Sequence, residues 1–167
     1  IFLLFVALAL TLSLCGCNKR NAPLSSTQVM MTTVVTVTLY DGKQEDLDST
    51  MRLIKEYEKL FDRNNKDSDV YKLNNNLATT VSGDTAILLE KALSISEKSN
   101  GAFDISILPL VELWNITKAT EPPKPEDIEA ALKSVDFNNI SINNTEVQLK
   151  NNCKIDLGGI AKGYIAD

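Results

Sequence analysis

The sequence predicts an α+β fold, a mostly antiparallel sheet with flanking helices. Three observations carry that expectation. Apolar residues recur at helical spacing over residues 46–61 and again over 82–99. A Val- and Thr-rich run at 29–40 and an alternating run at 140–149 read as strands, the second folded back on a two-residue turn. No internal repeat and no second linker divides the chain after its polar start.

The elements follow in order. Val29–Tyr40 is expected to be one strand, ended by the turn pair Asp41-Gly42. From Asp46 to Phe61, Leu47, Met51, Ile54, Tyr57 and Phe61 mark one face of a helix. Residues 62–67 form a polar loop, and Ser68 caps a short turn that points Val70 and Leu73 inward. Ser82 or Asp84 starts a second long helix, with Leu89, Ala92 and Leu93 on its apolar face and Asn100-Gly101 as its stop. Thr117–Pro125 is a surface loop, and a third helix runs from Pro125, tolerated in a first turn, to Ser134. Ile140–Leu149 is a hairpin, and Lys154–Leu157 is a strand entering the glycine turn Gly158-Gly159.

The N-terminus is of another kind. Residues 1–14 are almost wholly apolar but fall short of the ~20 residues of a membrane span. They suit the apolar region of a secretory signal, although no basic stretch or Met precedes them. Leu14-Cys15-Gly16-Cys17 then resembles a bacterial lipobox, with Cys17 as the lipidated residue. The expected organisation is a truncated signal at 1–16, a lipid-anchored tether at 17–28 and a domain from 29 to 167. An anchored protein on the extracytoplasmic side of a bacterial membrane follows, held by palmitoyl-type acyl chains.

Composition narrows the chemistry. The net charge is −5 with dispersed basic residues, which argues against nucleic acid as a partner. There is no histidine, so imidazole bases and His-ligated zinc are excluded from this chain. Of three cysteines, Cys15 leaves with the signal and Cys17 is acylated. Cys153 then stands alone and reads as a small apolar residue rather than a nucleophile. Any metal must be held by oxygen, which favours Mg²⁺, Ca²⁺ or Mn²⁺. Three Asn-x-Ser/Thr triplets, at Asn115, Asn139 and Asn143, are read as chance in an Asn-rich chain.

The richest stretch is Asp156-Leu-Gly-Gly-Ile-Ala-Lys-Gly-Tyr-Ile-Ala-Asp167. An acid, two glycines that allow positive φ or a close approach, and a helix with Lys162 in its first turn form a candidate phosphate cradle. The spacing is neither that of a P-loop nor that of a dinucleotide fingerprint. Two other stretches are candidates. Gly101-Ala102-Phe103-Asp104 puts an acid among apolar residues after a helix stop, and Met30-Met31-Thr32-Thr33 comes before a strand.

Four motifs occur in order: Met31-x-Thr33-Val-Val-Thr-Val-Thr-Leu-Tyr40; Asp67-Ser68-Asp69-Val70-x-x-Leu73-Asn74; Ser99-x-Gly101-Ala-Phe-Asp104-Ile105 with Pro109-Leu110-Val111-x-Leu113-Trp114; and Asp156-Leu-Gly-Gly-Ile-Ala-Lys-Gly-Tyr164. Together they resemble the ApbE family, FAD:protein FMN transferases that include many bacterial lipoproteins. The resemblance implies Mg²⁺-dependent transfer of FMN from FAD to a Ser or Thr hydroxyl of a target flavoprotein, with release of AMP. The acceptor it implies is a subunit of a membrane redox complex. It implies flavin-nucleotide contacts at Met31, Asn64, Ala102, Phe103, Asp104, Asp156 and Lys162, and a metal-binding backbone oxygen at Gly159. Asn64 stands where an aromatic is frequent, and Thr32 where glycine is usual. Further metal ligands are expected beyond Asp167, so the isolated chain is expected to be inactive. An FAD diphosphatase and a non-catalytic flavin-binding lipoprotein are the alternatives.

Overall fold

The computed structural model describes residues 22–167. The signal expected at 1–16, Cys17 and the beginning of the tether lie outside the described residues. The chain runs through β1 (Leu24–Met30), β2 (Thr33–Leu39), α1 (Gln44–Phe61), α2 (Asp69–Asn74), α3 (Gly83–Lys98), α4 (Leu108–Trp114), α5 (Pro125–Leu132), β3 (Ile140–Asn143), β4 (Glu146–Leu149) and α6 (Ala161–Ala166). Helices alternate with two antiparallel hairpins, β1–β2 and β3–β4. The α+β expectation is met.

The first hairpin corrects the reading of residues 29–40 as one strand. Leu24 pairs with Leu39 and Met30 with Thr33, so β1 begins inside the segment expected to be a tether. The chain reverses at Met31 and Thr32, which hold φ of 52° and 56°. A type I′ hairpin turn asks for positive φ at both central residues, and Asn or Gly normally supply it. Without a glycine as a signal, the reversal was not legible. Alternation then decides the faces. Met30, Leu24, Val35, Val37 and Leu39 pack on Leu47, Met51 and Ile54 of α1. The other face carries hydroxyls, with Thr27 and Thr36 hydrogen-bonded at 2.9 Å, and the exposed pair Val29–Val34 near the turn.

α1 joins that small core to the main one. Its last buried residue, Phe61, belongs with Val70 and Leu73 of α2, Leu88, Leu89 and Ala92 of α3, Ile140 and Val147 of β3–β4, and Ile155 and Leu157. The caps hold as expected. Ser68, fully buried, accepts from Tyr71 N at 2.9 Å and donates to the Asp62 carbonyl at 2.6 Å. Ser82 caps α3, and Asn100 and Gly101 end it with φ of 52° and 79°. α4 was not anticipated, because Pro109 in so short an apolar run gave no helical period; it sits at N1/N2, where its missing N–H costs nothing. α5 ends at Leu132, short of Ser134.

The segment 154–157 is not a strand. It is extended, but Lys154 alone forms an isolated bridge, parallel to Ile107. Other groups satisfy its backbone. Asp156 N donates to the Ile105 carbonyl at 2.8 Å. The buried Asn74 carboxamide accepts from Ile155 N at 2.7 Å and donates to Ile155 O at 2.8 Å, doing the work of a neighbouring strand. These bonds fix the approach to the glycine turn.

Candidate active-site cleft

A cleft of about 230 Å³ opens where the two cores meet. Its wall takes Met31 and Thr32 from the first hairpin, Glu58 and Phe61 from the end of α1, and Asp62, Arg63 and Asn64 from the loop after it. Opposite lie Asp156, Leu157 and Gly158, then Ala161, Lys162 and Ile165 of α6. Small-molecule sites usually enclose about 300–1,000 Å³, and this cleft falls just below that range. It brings together four expected residues that are far apart in sequence: Met31, Asn64, Asp156 and Lys162.

Each is positioned by a specific bond. Glu58 Oε1 accepts from the Met31 backbone N–H and ties the hairpin turn to α1. Asn64 N donates to Asp62 Oδ1 at 2.8 Å, an Asx turn that presents Asn64, exposed, at the cleft edge. Lys162 stands exposed in the first turn of α6, as expected. Asp156 lines the cleft and is also bound within the protein. Its Oδ1 accepts from Gly158 N at 2.6 Å, and its Oδ2 lies 3.1 Å from Arg63 Nη1. The carboxylate is engaged by protein on both oxygens.

Of the two reasons expected for the paired glycines, positive φ and close approach, the structure shows the second, toward protein groups. Neither Gly158 nor Gly159 is among the residues with positive φ. A Cβ on Gly158 would sit 2.9 Å from Asp156 Oδ1, and one on Gly159 would sit 3.3 Å from the Phe103 ring. Close approach, rather than backbone handedness, is what requires glycine here.

Ala102, Phe103 and Asp104 are not among the residues lining the cleft; Phe103 packs against Gly159 of the glycine turn. Asp104 Oδ1 accepts from Ser106 N at 2.7 Å and Ser106 Oγ at 2.6 Å, and Oδ2 accepts from Phe137 N at 3.0 Å. Its present role is to clamp two loops. Cys153, 4% exposed, is the buried apolar residue expected, and burial followed by Asp104 and Asp136 pushes its thiol up to about 11. Sequence reasoning missed Glu58 and Arg63, since charged residues at a helix end and in a polar loop look like ordinary solvated surface. For Mg²⁺ the expected ligand is the Gly159 carbonyl. Among the described residues no three acidic or thiol side chains gather in a metal-binding group. Mg²⁺ asks for six oxygens, so the described residues alone do not fit it.

The model of the ApbE family matches residues 31–167. The chain belongs to the ApbE family. It is 31% identical to an FAD:protein FMN transferase of Klebsiella pneumoniae (strain 342), over 88% of this chain and 49% of the relative. It is 28% identical to one of Treponema pallidum (strain Nichols), over 92% of this chain and 47% of that protein. The ApbE protein of Thermotoga maritima, a crystal structure, superposes with a TM-score of 0.78 at 30% identity, covering 86% of this chain and 50% of the other. The flavin transferase ApbE of Vibrio cholerae superposes at 0.75 with 21% identity, over 86% and 50%, and speaks for the fold alone. The chain spans about half the length of the curated relatives it matches.

Proposed function

We propose that the full-length protein is an FAD:protein FMN transferase. The observation that carries this reading is the convergence of Met31, Asn64, Asp156 and Lys162 on one cleft in a member of the ApbE family. In the proposed reaction a Ser or Thr hydroxyl of a target flavoprotein attacks the FMN-side phosphorus of FAD. The new P–O ester forms, the bond to the bridging oxygen breaks, the hydroxyl proton is lost and AMP leaves. Lys162, beside the start of α6, neutralises pyrophosphate charge that would otherwise repel the nucleophile. Phe103, packed against Gly159, and Ala102 extend the nucleotide surface beyond the cleft. Mg²⁺ would add further charge neutralisation when bound, with the Gly159 carbonyl as the ligand this reading assigns to it.

The acceptor proposed is a subunit of a membrane redox complex, reached by a protein anchored through acylated Cys17 on the extracytoplasmic side of the membrane. Loss of palmitate labelling in Cys17→Ser would support the anchor, and undiminished labelling would refute it. For the activity, full-length protein is incubated with FAD, Mg²⁺ and candidate flavoproteins. Mass spectrometry should find covalent FMN on Ser or Thr, and Lys162→Ala should slow transfer about 100-fold. Folded full-length protein that modifies no acceptor refutes the reading; efficient transfer by residues 22–167 alone would refute only the expectation that this segment is inactive by itself. A second reading, FAD diphosphatase, is favoured by the exposed polar Asn64 where the family often has an aromatic ring. It requires that FAD and Mg²⁺ without any acceptor yield FMN and AMP rapidly.

A further inference from the structure

Arg63 belongs to none of the motifs that carry the resemblance, yet it is the cation most deeply set in the cleft. Its side chain is 29% exposed and faces Asp156, itself 16% exposed, at 3.1 Å. The contact is close but poorly aligned: Nη1 is buried and has no hydrogen-bond acceptor in line with its N–H bonds. Nη1 is turned toward Asp156, while the side chain as a whole keeps 29% exposure and lines the cleft, where a ligand oxygen can reach the rest of the guanidinium. The acids nearby each accept from a backbone amide on one oxygen. Glu58 accepts from Met31 N, Asp62 Oδ1 from Asn64 N and Asp156 Oδ1 from Gly158 N.

We infer that Arg63 is a phosphate-binding residue of this cleft, with Asp156 as the positioning residue that holds it. The inference rests on the proposed function and deepens it, since the ligand is the pyrophosphate of a dinucleotide. A bare Asp156 carboxylate would repel that group. Paired with Arg63 its charge is offset, and the planar guanidinium can offer N–H donors to two phosphate oxygens at once. Lys162, on the facing helix, contributes a point charge from the other side. The Gly158 amide locks Asp156 in place, so the glycine turn, the acid and the arginine act as one unit.

The test measures binding of FAD, ADP and riboflavin to the full-length protein as wild type, Arg63→Gln and Arg63→Lys, with melting curves alongside. Arg63→Gln is expected to weaken FAD and ADP about tenfold and to leave riboflavin, which lacks phosphate, within twofold. Arg63→Lys, which keeps the charge but loses the fork, should fall between and melt like the wild type. Equal weakening of all three ligands, or no weakening of FAD and ADP, overturns the inference and assigns the ion pair a purely structural role. Arg63-dependent ADP binding by a protein that ignores FAD would keep the anion site and remove the flavin reading. A wild type that binds neither nucleotide refutes both.

Discussion

Thr32 sits in the left-handed region at φ 56°, beside Met31 at 52°, on the rim of the cleft. A β-branched residue there crowds its Cβ against the backbone, at a cost of about 1–2 kcal/mol. The turn is kept by the full register of β1–β2 and by the bond from Met31 N to Glu58. Thr32→Gly should therefore raise stability by about 1 kcal/mol, measured by urea unfolding. A lower or unchanged midpoint would show that the Thr32 hydroxyl, which donates to the Met31 carbonyl, matters more than the strain. Elsewhere the chain meets the same demand with asparagine. Asn76, Asn100, Asn115, Asn144, Asn151 and Asn152 all hold positive φ, which gives the Asn-rich composition a structural meaning. Asn115 and Asn144 in particular end a helix and turn a hairpin.

At the level of elements, α2 does more than its six residues suggest. Ser68 anchors its start to the loop that carries Arg63 and Asn64, through the Asp62 carbonyl. Asn74 anchors its end to Ile155, the residue before Asp156. One short helix thus sets the spacing of the two sides of the cleft. Asn74→Ala would leave a buried N–H and a buried carbonyl without partners, each worth about 1–3 kcal/mol. We expect a loss of about 3 kcal/mol in unfolding free energy; a loss under about 1 kcal/mol would mean that water replaces the carboxamide. The Ser68 cap was legible because Ser before Asp69 and three residues before Tyr71 is a local signal. The Asn74 bond was not, because its partner lies 81 residues away.

For the whole molecule, the buried thiol couples stability to pH. Unfolded, a cysteine titrates near about 8.5. Folded, Cys153 is held up to about 11, by burial first and then by Asp104 and Asp136. Between those values the unfolded chain releases a proton that the folded chain keeps. The stabilisation is complete below about pH 8.5 and is lost as pH rises toward 11. Tyr164, raised by burial and then by Asp84 and Tyr57, acts in the same direction at higher pH. Unfolding free energy measured from pH 7 to 10.5 should decline in the upper part of that range, and less steeply in Cys153→Ala. Equal slopes in the two proteins would refute the assignment. The thiol should also resist alkylation at neutral pH, as suits a residue that closes the core under the glycine turn.

What the sequence determined by itself are the features with local causes. The helices at 44–61 and 83–98 follow from apolar period and caps, the hairpin at 140–149 from alternation, and the family from four motifs in order. The tertiary structure alone decided the rest. The β1–β2 reversal runs through residues that do not favour it, so only pairing with α1 packed behind makes it worthwhile. The extended segment before Asp156 takes its hydrogen bonds from Asn74 and Ile105 rather than from a strand. Asp156 itself reads in sequence as a ligand-facing acid, and in the fold it lines the cleft while also bound to Arg63 and Gly158. Charge pairing across 93 positions of chain has no local signature, because it depends on which surfaces the two cores bring together.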